Sequence, residues 1–517
     1  MPRTPLMGRI AALARLSRLA RRTGIPASEL AGIGRSRRRF IQSGGVAIAA
    51  AGLASCVSTP RRGPSSTAPR VVIVGAGIAG LHCAHKLGDA ADVVIYEAAD
   101  RTGGRIFTKT DLLNAGQTVE LGGSFIDSGH EDMLALCREF KLELLDMCED
   151  SGLIDTGYCF GGRHYSDREV LDSLEPFVER MEKDAAWLEK DWSTLQSDRV
   201  VRDLDNTSIA QYVGDIGVSG WLKELLEVAF VTEYGLDADD QSCFNMLCLI
   251  GLDTSKDRWE AFGESDERYK VRGGNQRVVD ALAHGQQDRV LTAHRLVRVR
   301  ETGAGFDLAF DSHGKTVDVQ TDVVVLTVPF SVLRDVELDV KLPASKRRAI
   351  DALGYGTNAK LLVGTDSRPW RKQGYAGGVF SDTGFQLAWD NARLQDGEGG
   401  GITLYSGGKA GIAVGEGTPR EQVERLLPGL DAAFPGVQDA WNRRLFRMHW
   451  PSHAFTRASY ACYRPGQWTT ISGHEMEPVG NLYFAGEHCS ADFQGYMNGG
   501  AETGRRAAEA ILASVRR

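Results

Sequence analysis

Long apolar runs are missing from this 517-residue chain. The stretch from Gly44 to Ala54 stays mildly apolar for eleven residues, whereas a helix crossing a bilayer needs ~20. With 42 % hydrophobic and 25 % charged residues, the composition also excludes a disordered, collagenous or polytopic membrane chain. No C-x-x-C pair occurs among the eight cysteines after Cys56, and Cys83, Cys137, Cys243 and Cys248 lie in apolar segments that suit small core residues. His449 and His453 stand four apart, but Pro451 between them spoils a helical pair of ligands, so no metal is expected. There is no internal repeat. Positive charge is scarce once residues 1–55 are set aside: they hold ten arginines and one acid, which leaves the remainder at −17 within an overall −8. An acidic body argues against a nucleic-acid partner, because phosphate binding needs a basic surface.

What is abundant is length and glycine. The length suits about three domains of ~150 residues, and 60 glycines point to many positive-φ turns and close backbone approaches. The basic start contains Ser36-Arg37-Arg38-Arg39-Phe40-Ile41-Gln42, which resembles a twin-arginine export signal, and the apolar run behind it reads as the h-region of a signal peptide. Leu53-Ala54-Ser55-Cys56 resembles a bacterial lipobox with Cys56 as the acylated residue; cleavage without lipid and an organelle transit peptide are the alternatives. The expectation is export through the twin-arginine translocase to the periplasm or cell envelope, with a lipid anchor at Cys56. Thr59 to Pro69 is rich in proline and serine and suits a tether.

The folded body opens with an all-apolar strand, Arg70 to Val74, that runs into Gly75-Ala76-Gly77-Ile78-Ala79-Gly80 and a helix to Leu87. Gly75 permits the tight turn, Gly77 a close approach to a pyrophosphate and Gly80 the contact of helix with strand. A second strand, Val93 to Tyr96, ends at Glu97, 22 residues after Gly75, where a carboxylate can accept from both ribose hydroxyls. NAD and FAD both satisfy this fingerprint. Arg101-Thr102-Gly103-Gly104-Arg105 separates them, because E-x(5)-G-G-R resembles the flavin-dependent amine oxidase family and not nicotinamide dehydrogenases.

The resemblance extends over about 440 residues. Glu120-Leu121-Gly122-Gly123-Ser124 is similar to the family's segment beside the flavin ring. Val271-Arg272-Gly273-Gly274, a strand from Val290 to Val299 that includes Leu296, and Asp322 to Pro329 are similar to its FAD domain. Leu482-Tyr483-Phe484-Ala485-Gly486-Glu487, then Gly495-Tyr496-Met497 and a helix through Ala501 to Ala513, resemble the monoamine oxidase ending. The resemblance implies an α/β fold in which a Rossmann-type FAD-binding domain carries a discontinuous α+β substrate domain. The segments are 1–55 signal, 56–68 tether, 69–145, 270–332 and 456–517 FAD-binding, and 146–269 and 333–455 substrate-binding.

The resemblance also implies chemistry. Arg105 would neutralise the pyrophosphate and Glu487 would meet the ribitol-phosphate region. Lys360, in Gly356-Thr357-Asn358-Ala359-Lys360-Leu361 with Trp370 after it, occupies the place of a lysine that holds water against flavin N5. Tyr460 and Tyr496 occupy the places of two aromatics that flank the amine. Ser459 stands where animal monoamine oxidases carry the flavin-linking cysteine, and Cys462 lies three positions too late, so FAD is expected to be noncovalent. Hydride would pass from the carbon bearing nitrogen to FAD, giving an imine that hydrolyses to a carbonyl and an amine, with O2 or an electron carrier as final acceptor. Amino-acid-oxidising relatives carry an arginine where Phe125 stands, so the substrate is expected to be an amine without an α-carboxylate. An L-amino-acid oxidase or tryptophan monooxygenase, and a lipid-anchored flavoprotein without turnover, are the rival readings.

Overall fold

The computed structural model describes residues 68–189 and 196–515. The expected export signal, the expected lipid-anchor residue Cys56 and nearly all of the expected tether fall outside those residues. Among the described residues no helix is long and apolar enough to cross a membrane.

Five short parallel strands form the first sheet, in the order Leu482–Phe484, Val323–Leu326, Arg70–Val74, Asp92–Tyr96 and Val290–Leu291. Their apolar runs are continuous because the central strands are covered on both faces: Val71 to Val74 and Val323 to Leu326 are all buried. The Ile78–Leu87 helix and the C-terminal helix Met497–Val515 pack together on one side of it. Gly504 lets them approach, since a Cβ there would lie 2.2 Å from Ala79 O.

A seven-stranded sheet draws Ile154–Phe160 and Arg163–Tyr165 from the first insertion and five strands from the second, in the order Trp441–His449, Ala359–Thr365, Gly400–Ser406, Leu387–Asp390, Tyr375–Ser381, Ile154–Phe160, Arg163–Tyr165. Where the first insertion leaves and rejoins the chain, Leu144–Asp146 pairs antiparallel with Tyr269–Val271. Helices Asp167–Ala185 and Gly220–Tyr234 fill this insertion. The first starts on a capping box, Ser166 with Glu169, and buries Val170, Leu171, Leu174 and Met181 at the expected three-to-four spacing.

Several expectations need correction. The strand expected over Val290 to Val299 is two strands: Val290–Leu291 closes the parallel sheet and Arg295–Thr302, carrying Leu296, belongs to an antiparallel four-stranded sheet. The chain turns between them at Ala293, whose φ is 56°, with Ala293 N–H and His294 N–H donating to Ala99 O and Glu97 O. Glu337–Asp339, assigned from sequence to the second insertion, pairs with Arg298–Arg300 of that four-stranded sheet. The helix expected over Pro419 to Leu427 continues through Pro428 to Ala433, and the C-terminal helix begins four residues before Ala501.

Candidate active site

One cavity of about 750 Å3 runs from the first glycine turn to the seven-stranded sheet. Every site residue nominated from the sequence lines it except Gly80. Gly80 acts from behind: a Cβ there would lie 2.0 Å from Gly75 O, so only glycine lets the helix seat on the turn. Above Gly77 the space is open, and a Cβ would meet only Gly104 Cα at 4.0 Å. The Ile78–Leu87 helix starts without a side-chain cap, which leaves first-turn N–H groups for a ligand at the positive end of the helix dipole. Glu97 is fixed by Ala76 N–H at 2.7 Å and Ala99 N–H at 2.8 Å. Burial holds its carboxyl above the ordinary range against the pull of those two bonds.

Arg105 and Glu487 meet each other as well as the cavity. Arg105 Nη1 donates to Glu487 Oε1 and to Ser459 O, each at 2.7 Å. Glu487 also accepts from Gly495 N–H at 2.9 Å. The guanidinium charge is therefore already partly balanced, while Met497 and Gly500 of the C-terminal helix present that helix's N-terminal turn to the same space.

Lys360 is deeply buried beside the Glu120–Ser124 segment. Its Nζ donates to Gly122 O at 2.5 Å, Ser124 Oγ at 2.8 Å and Glu120 O at 3.2 Å. Burial lowers its pKa far below the lysine value, and Glu120 opposes that only in part. Trp450, on the cavity wall, ties the same segment by donating to Leu121 O at 3.1 Å. Trp370 lies elsewhere, fully buried and bonded to Asp390.

At the far end stand the aromatics. Tyr460 Oη lies 2.9 Å from Tyr405 Oη and 3.2 Å from Thr232 O. Tyr405 is the register partner of Lys360 in the seven-stranded sheet. Trp389 meets Tyr405 edge-on at 5.3 Å and Phe125 at 5.9 Å. Tyr496 Oη donates to Glu233 Oε1 at 2.9 Å and lies 3.2 Å from Ser265 Oγ. Glu233, Glu267, Asp127 and Lys270 share this end of the cavity. Sequence reasoning missed these four charged residues with Tyr405 and Trp389, because a charge beside a turn or on a helix reads as surface until the packing is known.

The geometry defines a dinucleotide-binding flavoprotein fold joined to an aromatic substrate chamber. The profile of flavin containing amine oxidoreductases matches residues 78–512, so the chain belongs to that family. It is 24 % identical over 471 residues to an L-amino acid dehydrogenase of Synechocystis, covering 87 % of this chain and 96 % of the relative. It is 23 % identical over 455 residues to amine oxidase B of Sus scrofa, covering 86 % of each. Solved structures of similar fold include putrescine oxidase bound to putrescine (TM-score 0.74, 22 % identity, 86 % of this chain and 99 % of that one) and cyclohexylamine oxidase from Brevibacterium oxydans (TM-score 0.75, 22 % identity, 87 % and 100 %). The chain is a flavin-dependent oxidoreductase acting on amines, with FAD as cofactor. The glycine cradle, uncapped helix and aimed Glu97 fit that group. Cys462 Sγ is buried against Asn245 and does not line the cavity, in keeping with noncovalent binding.

Proposed function

We propose that the chain oxidises a primary or secondary amine at the carbon bearing nitrogen, and that the resulting imine is hydrolysed to an aldehyde or ketone. FAD held in the cavity would supply the two-electron acceptor for that carbon's hydride, with O2 or an electron carrier as the final acceptor. Tyr460 and Tyr496 hold the nitrogen between aromatic faces, and their low polarity favours the neutral amine whose lone pair is needed. Lys360 already has three acceptors, so water reaches it by replacing one, and Ser124 Oγ on the cavity wall is the acceptor free to move. The observation that carries this reading is the meeting of Lys360, Tyr460 and Tyr496 in one cavity with the glycine cradle.

A second reading, oxidation of an L-amino acid, is favoured by one feature. Lys270 is buried, its ammonium has no hydrogen-bond partner among the described residues, and its Nζ stands 4.5 Å from the ring centroid of Phe125, where amino-acid-oxidising relatives carry arginine. Glu233 and Glu267 in the same chamber oppose a carboxylate, which favours the simple amine. Anaerobic bleaching of the flavin by tryptamine and by L-tryptophan separates the two: faster bleaching by tryptamine is expected, and faster bleaching by L-tryptophan overturns the preference.

We also infer export by the twin-arginine route with lipidation at Cys56, supported by Arg37-Arg38 and the lipobox-like run. Replacing both arginines with lysine should retain the protein in the cytoplasm, since lysine cannot copy a forked guanidinium. Continued export of that variant would remove this reading, and Cys56→Ala should release the protein from membranes.

A further inference from the structure

Two carboxylates in the substrate chamber have no cation assigned to them. Glu233, near the end of the Gly220–Tyr234 helix, accepts from the Tyr496 hydroxyl and from no other side chain among the described residues. Glu267 lies on the segment before the Tyr269–Val271 strand, and its side chain has no hydrogen-bond or ion-pair partner among the described residues. Glu267 is exposed and lines the cavity. Its backbone is held at φ 44° by Asp127, whose Oδ1 accepts from Glu267 N–H at 3.1 Å and whose Oδ2 accepts from Ser265 Oγ at 2.7 Å. An uncommon left-handed backbone thus keeps a carboxylate at the chamber wall.

The neighbouring arginines are committed elsewhere. Arg393 is paired with Asp150 and Asp155, Arg258 with Asp155 and Arg268 with Asp146. Lys270 leans over Phe125. Burial, together with Asp127, pushes Glu233 up to about 7; burial, then Glu233, Asp127 and Asp155, pushes Glu267 up to about 8, with Lys270 pulling the other way. Two neighbouring carboxyls that repel each other stay partly protonated when unpartnered, and a positive group seated between them restores their charge.

We propose that Glu233 and Glu267 form a second recognition site, for a cationic group that the substrate carries in addition to its reacting nitrogen. This rests on the amine-oxidation reading and narrows it to substrates with a distal ammonium or guanidinium. Tyr496 links the two poles, since its ring lines the aromatic chamber and its hydroxyl bonds Glu233. A diamine and a basic amino acid both supply such a group, and Lys270 is the residue that would favour the latter through its carboxylate.

The test is anaerobic flavin reduction in the holoenzyme with pentylamine, cadaverine, L-lysine and tryptamine, in wild type and in Glu267→Gln and Glu233→Gln. Cadaverine or L-lysine is expected to exceed pentylamine at least tenfold in kcat/KM, mostly through KM, and either variant to remove most of that advantage. The better of the two identifies diamine or basic amino acid. Equal efficiency of pentylamine and both dications, or an advantage that survives in both variants, overturns the second site and leaves amine oxidation standing. Bleaching by none of the four overturns the amine reading and this site with it. Should the variants fail to fold, the wild-type comparison alone decides the proposal.

Discussion

The two ends of the cavity are finished to different degrees. At the cofactor end charges and turns are satisfied by the protein itself: Glu97 has two backbone donors, Arg105 has Glu487, and Gly75 N–H has Tyr96 O at 2.7 Å. At the substrate end the Glu233 carboxyl has one hydroxyl and the Glu267 carboxyl has no hydrogen-bond donor among the described residues, and burial raises both, to about 7 and about 8. A cofactor that stays is met by a preorganised cradle, whereas a ligand that comes and goes is met by groups whose partner it must bring. The difference shows where binding energy is stored and where it waits for substrate.

The largest effect should be that of pH on the substrate end. An alkylamine near the reference of ~10.4 must lose its proton before hydride leaves, which at pH 7 costs roughly 4.6 kcal/mol. Anaerobic bleaching by pentylamine at subsaturating concentration should rise nearly tenfold per pH unit from 7 towards 10; a flat profile breaks the mechanism. Preference for a dication should follow another curve. Glu233 and Glu267 gain charge as pH rises through about 7 and about 8, so the cadaverine-to-pentylamine ratio should climb through that window and fall again as the distal ammonium deprotonates.

At the cofactor end, Gly80→Val would drive a side chain into Gly75 O, where even the Cβ sits at 2.0 Å. Overpacking of this kind costs ~1–3 kcal/mol, so FAD affinity should fall by about fivefold to a hundredfold, read as flavin lost on gel filtration. Retained flavin would show that the helix is not seated as described. Lys360→Met should leave FAD bound yet slow bleaching or reoxidation about tenfold; wild-type rates in both half-reactions would remove Lys360 from the chemistry. The smallest effect belongs to the aromatic pole. Tyr460→Ala or Tyr496→Ala should weaken amine handling by about 1 kcal/mol of lost aromatic contact, seen mainly in KM, with Tyr496→Ala also freeing Glu233.

The cofactor end was the legible one. Val71 to Val74 and Val93 to Tyr96 are apolar throughout because both faces are covered, and a glycine that needs φ 108° at Gly75 or a bare approach at Gly80 leaves a mark in the sequence itself. The substrate end depends on register and packing. The strands holding Lys360, Trp389 and Tyr405 were readable, but that Lys360 lies opposite Tyr405 follows only from the antiparallel pairing of Ala359–Thr365 with Gly400–Ser406. Glu233 reads as one more charge on an amphipathic helix, and Glu267 as a loop acid beside Arg268. Neither carries a periodic signal, because a loop at φ 44° and a helix end meet through tertiary structure. The split at Ala293 was hidden for a similar reason: Val290 to Val299 has strand-like composition, and only the hydrogen bonds to Glu97 O and Ala99 O turn the chain.

The central claim is that this cavity joins an FAD cradle to a chamber for amine oxidation, and its most direct measurement is an anaerobic titration of the holoenzyme with an amine. One equivalent of bleached flavin should appear with one equivalent of aldehyde after hydrolysis. A flavin that stays oxidised with no aldehyde formed, across monoamines and diamines alike, would contradict the account.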